Sequence, residues 1–334
     1  MSTAGAESFR LPPLLSGGLM LSYRCTNACK HCLYRCSPQQ PDEWITLEMT
    51  ERVFRALKQE PLQDLHLAGG EPTLKFELLT EIIRLAQAMG IALSYVETNA
   101  PWCTDMQTAE AGMWQLKRAG LPAILISVSM FHHEFIRFRN TRHGVEAARK
   151  VFGRRRTYVY LPHLYDAFLQ QPHDGRQTLE EFARWAGIAD RPEVLATIYQ
   201  VIPSGRATRD LRQCFTASPA EKFRNQRCWG DLNDTSHFHI DHHGDLFTGL
   251  CAGLAPATVD GLHPEISAAT HPLFHRLATQ GPLGLRQLAI EAVGHVDRPE
   301  GYISKCDLCL HLRDQLHATG EYPELRPDGF YAEQ

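Results

Sequence analysis

Residues 25–32 read Cys25-Thr26-Asn27-Ala28-Cys29-Lys30-His31-Cys32, directly after the apolar run Gly18–Tyr23. Three thiols spaced CxxxCxxC can wrap around one metal centre from a single loop. Iron–sulfur clusters are held by cysteine thiolates, and a four-iron cubane is normally held by four of them. Three ligands leave one iron open, and open positions are where metal sites do chemistry. Cys36, four residues on, is either a fourth ligand, which would close that position, or a small buried residue of the following loop.

The chain of 334 residues can bury a large core. Its 43% hydrophobic and 22% charged residues are ordinary for a globular protein. A net charge of -4 gives no overall attraction to nucleic acid or acidic membranes, so neither is expected as a partner. Met1–Leu11 lacks the basic and apolar regions of a secretion signal. Leu11–Leu21 is interrupted by Pro12, Pro13, Gly17 and Gly18 and is too short to cross a bilayer. Ten cysteines then point to metal-bound thiols in a reducing compartment, and a cytoplasmic metalloprotein is expected.

Around the cysteine loop, strand and helix patterns alternate. Gly18–Tyr23, Leu62–Leu67, Ile91–Thr98, Ala123–Met130, Tyr158–Leu161 and Val194–Ile202 read as strands. Apolar stripes at Met49, Val53, Phe54 and Leu57 (with Thr46 as N-cap), over Phe76–Met89, Val145–Phe152 and Gln177–Trp185 read as helices. Six strand-plus-helix units imply an α/β fold with a parallel sheet and a ligand at the strands' C-terminal ends. The second strand runs into Gly69-Gly70-Glu71-Pro72, where glycines permit close backbone approach and Glu71 supplies a carboxylate, unless the segment is a simple tight turn. The third ends in Glu97-Thr98-Asn99-Ala100, and Asn99 could alternatively cap the next turn. Cys103, in Pro101-Trp102-Cys103, is expected on the active-site rim, as hydrogen-atom donor, cluster ligand or inert small residue. Ser127 and Ser129 alternate with apolar neighbours on the fourth strand, ahead of Phe131-His132-His133-Glu134. Arg154-Arg155-Arg156 reads as a solvated turn, with docking of an acidic substrate or electron donor as the other reading.

The cysteine loop, the GGEP segment about 40 residues later and the TNA strand end resemble, in this order, the radical S-adenosylmethionine (SAM) enzymes. The resemblance covers roughly Leu19–Ala207. It implies a partial (β/α)6 TIM-like barrel, open on one side, with a [4Fe–4S] cluster on Cys25, Cys29 and Cys32. It also implies SAM contacts from Gly69, Gly70, Glu71 and Pro72, from Thr98 and Asn99, and from Ser127 and Ser129. His132 is assigned to SAM or substrate, with a solvated loop as the alternative. Ile202-Pro203-Ser204-Gly205-Arg206-Ala207 is similar to the P-x-G-R-A segment beside the adenine in members that carry a C-terminal cluster-binding extension, so Ile202 and Pro203 join the cofactor-binding set.

The three expected parts are an N-terminal segment (1–17), the core (18–210) and a small α+β extension (211–334). In the last, a hairpin is expected over Phe238–Thr248, with Gly244 in its turn. By spacing, Cys228, Cys251, Cys306 and Cys309 make a four-thiolate site, with Cys214 able to replace Cys228. Resemblance to a SPASM or twitch extension implies an auxiliary [4Fe–4S] cluster there. Structural zinc suits four thiolates equally. His237, His239, His242 and His243 crowd this hairpin, with His237 and His239 on one face by alternation.

The resemblance implies reductive cleavage of SAM to a 5′-deoxyadenosyl radical that takes a hydrogen atom from the substrate. Modification of a peptide or protein side chain is the first expectation. About 24 residues precede Cys25, so a leader-binding module would be a separate protein. A small-molecule dehydrogenation, rearrangement or cyclisation is the second reading, and a non-catalytic iron–sulfur or zinc sensor or scaffold the third. A reducing donor such as flavodoxin or ferredoxin is implied as partner.

Overall fold

The computed structural model describes residues 8–332, so Met1–Glu7, part of the segment read for a secretion signal, and Glu333–Gln334 lie outside the described residues. A short strand, β1 (Ser8–Phe9), precedes β2 (Ser16–Met20). Then come α1 (Leu47–Leu57), β3 (Asp64–Ala68), α2 (Phe76–Met89), β4 (Leu93–Thr98), α3 (Met106–Ala119), β5 (Ile124–Ser127), α4 (Met130–His133), α5 (Phe138–Phe152) and β6 (Thr157–Tyr160). The helices start and stop where their sequence dictates. Thr46 accepts the Met49 amide at 3.0 Å, and α2 ends on Gly90, whose φ of 70° is one a side chain would resist. α1 buries Val53, Phe54 and Leu57, and α2 buries Leu79, Ile82, Ile83 and Ala86. Each fully buried large apolar side chain contributes about 1.5–3 kcal/mol, which fixes which face of each helix meets the sheet.

The strands β2 to β6 are parallel, and the described sheet runs β6-β5-β4-β3-β2 and continues through β7 (Phe238–Ile240), β8 (Asp245–Phe247) and β9 (Ala257–Thr258). This is the partial TIM barrel, with one correction. Of Val194–Ile202, expected as the sixth strand, the part up to Tyr199 lies in the helix Pro192–Tyr199, which Gln200 caps in the left-handed conformation. Pro192 opens it in the first turn, and Leu195, Ala196 and Tyr199 make a buried helical stripe, so tertiary packing overrides the β-branched composition. The sixth parallel strand comes from much later in the chain. β7 pairs in parallel with β2, on the side away from β3, with Gly17 facing Phe238 and Leu19 facing Ile240. The expected hairpin is β7–β8, antiparallel, with Gly244 at φ 87° in its turn. The sheet therefore crosses residue 210, where the core was expected to end. A final pair, β1 with β10 (Ile266–Ser267), ties the N-terminal strand to the C-terminal region.

Candidate active site and metal centres

Parallel strands end together, so loops far apart in sequence meet at one rim. A cavity of about 270 Å³ lies there, lined by Cys25, Cys29, Cys32 and Cys36, by Gly69 and Gly70, and by Thr98 and Asn99. Ser127, His132 and Ile202 also line it. The structure thus gathers most of the residues singled out in the core sequence around one space.

Each of the three loop sulfurs accepts an N–H. Cys25 Sγ takes the Asn27 amide (3.4 Å) and Asn99 Nδ2 (3.7 Å), Cys29 Sγ takes Asn27 Nδ2 (3.7 Å), and Cys32 Sγ takes the Cys36 amide (3.4 Å). Such bonds favour thiolate sulfur and tune the potential of a cluster held by it. Hydrogen bonding from the Cys36 thiol draws Cys32 down to about 6, whereas burial and then the Glu71 charge push Cys25 up. Among the described residues, two groups of three His, Cys, Asp or Glu bring ligand atoms within 4.8 Å of one another, and neither contains a cysteine. One tetrahedral ion at about 2.3 Å from each sulfur would draw them to about 3.8 Å apart. The loop thiols are spread more widely, as ligands of a multi-iron cluster must be. The donor set fits that group.

The loop is held from two sides. Glu71 is fully buried, and its oxygens accept from Thr73 N (3.1 Å), Thr73 Oγ1 (2.6 Å), Thr98 Oγ1 (2.7 Å) and Asn99 N (2.9 Å). Its carboxylate therefore joins the GGEP turn to the end of β4, and it is the neighbouring Gly69 and Gly70 that border the cavity. From the other side, Arg206 donates to the carbonyls of Cys29 (2.9 Å) and Cys36 (3.0 Å), and its amide donates to that of Cys32 (3.0 Å). Gly205, at φ 58°, packs so closely that a Cβ would meet the Cys32 carbonyl at 2.6 Å.

Several expected contacts lie elsewhere. Cys103 is not on the rim. It is fully buried under α5, where a Cβ on Gly144 would come within 3.3 Å of its sulfur, and burial raises its pKa. Packed against the outer helix and absent from the cavity lining, the Cys103 thiol sits as a core residue and not as a rim thiol. Ser129 is fully buried as the N-cap of α4, and its hydroxyl bonds His132 Nδ1 at 2.7 Å, so it positions His132. Pro72 begins the turn Pro72–Lys75, and the Pro203 carbonyl accepts from Ser304 Oγ (2.7 Å), linking the core to the C-terminal region. Arg154–Arg156 form an exposed turn at the N-terminal end of β6, away from the cysteine loop.

Sequence reasoning passed over Asn27, His31, Glu97, Tyr160 and Tyr199, which also line the cavity. Tyr199 Oη and His31 Nε2 share a 2.6 Å hydrogen bond, and Ser127 Oγ donates to Glu97 at 3.3 Å. Position within the already quoted loop and strand end was the signal for Asn27 and Glu97. Tyr199 carried none, because its helix was read as a strand.

In the C-terminal region, Cys228 precedes a helical turn, Cys251 follows β8, and Cys306 and Cys309 open the helix Lys305–His317. Burial raises all four thiols, Cys228 to about 12 and Cys306 to about 11. Cys251 is raised further by Cys306, Cys309 and Cys228, which therefore lie around it, while Arg313 opposes the rise. Cys214 sits apart, with Glu193 and Lys30 as its charged neighbours.

A family model described as the radical SAM superfamily matches residues 19–186, half of the chain. The protein belongs to the radical SAM superfamily, and that membership implies a [4Fe–4S] cluster and SAM. It is 30% identical over 114 residues to an S-adenosylmethionine-dependent nucleotide dehydratase of Thermoplasmatales archaeon (strain ISO4-H5), covering 33% of this chain and 37% of that protein. It is 30% identical over 127 residues to the PqqA peptide cyclase of Rhizobium meliloti (strain 1021), covering 37% and 32%. The matched region spans about a third of these relatives' length. Among solved structures, the crystal structure of BtrN in complex with AdoMet and 2-DOIA aligns over 81% of this chain and 89% of that one, at 12% identity and a TM-score of 0.43. Among the described residues no helix is long and apolar enough to cross a membrane.

Proposed function

We propose that this protein is a hydrogen-abstracting radical SAM enzyme with two iron–sulfur centres, acting oxidatively on a compact polar substrate. The observation that carries the reading is the single cavity into which the three-cysteine loop, the Gly69-Gly70 turn and the Thr98-Asn99 strand end all open. When bound, the cluster on Cys25, Cys29 and Cys32 together with SAM supplies a carbon radical able to take hydrogen from an unactivated C–H bond. The chain's own part is placement and protection. Asn27, Asn99 and the Cys36 amide hold the sulfurs, Arg206 holds the loop backbone, and the partly closed barrel limits water around the reacting atoms.

Substrate class follows from what faces the cavity. Glu97, Ser127, His132, Tyr160, Tyr199 and His239 set a few polar groups into a wall that is otherwise mostly apolar, an arrangement that suits a small metabolite whose own polar groups meet them. A peptide would have to present a single side chain into the same space. For the second centre, Cys228, Cys251, Cys306 and Cys309 are proposed as ligands of an auxiliary [4Fe–4S] cluster. Lys305 and Arg313 lie close enough to these thiols to offset their charge, and no three of the thiols approach to zinc-ligand spacing.

An electron donor is proposed to dock beside Cys25. A groove of about 550 Å³ there is lined by Cys25 and Thr26 and by four arginines, Arg24, Arg137, Arg139 and Arg176. That charge suits an acidic partner such as flavodoxin or ferredoxin.

Anaerobic reconstitution with iron and sulfide tests the reading. The wild type should hold about eight irons and the Cys25, Cys29 and Cys32 triple alanine variant about four. The wild type alone should release 5′-deoxyadenosine from SAM under reduction. Iron-free zinc at the C-terminal thiols would replace the auxiliary cluster with a structural site. Absence of SAM cleavage by the fully loaded protein would remove the enzymatic reading.

A further inference from the structure

The floor of the barrel holds a group of residues that the cysteine chemistry does not use. His66 on β3 and His239 on β7 both pair in register with Gly18 on the strand between them. His237 lies two residues before His239, on the same face of the chain. Gly18 has no side chain, and the space it leaves is filled by the two rings. A Cβ there would stand 2.4 Å from His66 Nε2 and 2.7 Å from His239 Cδ2. The result is three imidazoles whose ligand nitrogens all lie within 4.8 Å of one another.

Their ring geometry suits one ion. The centroids are 5.6 Å apart for His66 and His237, 5.3 Å for His66 and His239, and 4.9 Å for His237 and His239. A tetrahedral metal about 2.0–2.1 Å from each nitrogen places ring centroids about 5.2 Å apart. His239 is buried, and its Nδ1 has no hydrogen-bond partner, an arrangement that costs free energy unless something occupies the position. His66 has a backbone hydrogen-bond partner at Gly17, which fixes the tautomer of a ligating ring. His237 is exposed and gives the ion a way in.

We infer that His66, His237 and His239 form a three-histidine site for a divalent borderline metal, for which zinc is the probe. Three nitrogen ligands leave a fourth position for water or a substrate oxygen. His239 also lines the cavity at the cysteine loop, whereas His66 and His237 do not, so the site borders that chamber through His239. The inference stands on these histidines alone and is independent of the reaction proposed above.

The experiment uses holoprotein with its iron–sulfur centres assembled, stripped of loosely bound metal and titrated with Zn2+. The expected result is one zinc per chain beyond the iron, with nitrogen and oxygen but no sulfur neighbours by zinc-edge X-ray absorption. His237→Gln changes an exposed residue and should leave the fold and iron content intact. Loss of an outer-shell partner alone costs about 10–100-fold in affinity, so loss of this ligand should cost at least about 100-fold. The Cys25, Cys29 and Cys32 triple alanine variant should bind the same zinc. Absence of zinc binding by the loaded wild type, sulfur in its coordination shell, or undiminished binding by His237→Gln would each overturn the assignment.

Discussion

Arg206 Nη1 donates a 2.9 Å hydrogen bond to the carbonyl of Cys29, across 177 residues of sequence. With its bond to the Cys36 carbonyl, this places one buried guanidinium across the backbone of the cysteine loop. A loop bearing three thiols has no regular secondary structure to hold its shape, so its geometry depends on such long-range contacts. Replacing Arg206 with Met keeps much of the volume and removes the donors. The expected outcome is retained folding by circular dichroism, with loss of at least half of the iron at the cysteine loop. Full iron occupancy in that variant would show that the clamp is dispensable.

Glu71 makes a different prediction. Its four accepted hydrogen bonds are internal, and removing a buried hydrogen-bonded carboxylate strands several donors at once. Glu71→Ala should lower unfolding free energy by about 2–4 kcal/mol in denaturant titrations and weaken SAM binding through displacement of the Gly70 and Asn99 segments. If stability is unchanged while SAM binding is lost, the carboxylate acts on the ligand directly.

Cys103 should behave as a core residue. Cys103→Ala should cost about 1 kcal/mol of stability and leave 5′-deoxyadenosine formation within about twofold of the wild type. Abolition of substrate turnover with SAM cleavage intact would restore its chemical role.

Donor docking at the arginine groove predicts a split between two assays. Charge reversal at Arg137 and Arg139, which border the groove next to Cys25, should slow turnover driven by an acidic protein donor by about tenfold. Turnover driven by a small chemical reductant should be unaffected. The wild-type rate with the protein donor should also fall as salt rises, because exposed charges are screened. Equal loss in both assays would place these arginines in the catalytic machinery.

Glu324 gives the protein a pH dependence. Burial raises its carboxyl from 4.5 to about 7, although it accepts the Leu273 and Phe274 amides at the start of the helix Pro272–Gln280. Below about pH 4.5 the group is protonated in both states. Between about 4.5 and 7 the unfolded chain loses this proton while the folded chain keeps it, so its contribution to stability declines as pH rises. The slope is at most about 1.4 kcal/mol per pH unit. Glu324→Gln should flatten that part of a stability profile measured by urea unfolding. An unchanged slope would assign the decline to other groups.

The sequence by itself determined the local features of this protein. The spacing of Cys25, Cys29 and Cys32 lies within one loop, the helix Phe76–Met89 has its apolar period written along the chain, and the Gly69-Gly70 and Thr98-Asn99 strand ends are short motifs. Such features depend on residues a few positions apart, so they are legible without the fold. Tertiary structure decided where distant segments meet. It placed Phe238–Ile240 beside Ser16–Met20 as the sixth parallel strand, turned most of the expected strand Val194–Ile202 into a helix ending at Tyr199, and sent Cys103 into the core. It also set His66 and His239 on either side of Gly18. Burial and strand pairing are properties of the whole chain's packing, and a short window of sequence carries no record of which partner a segment will find.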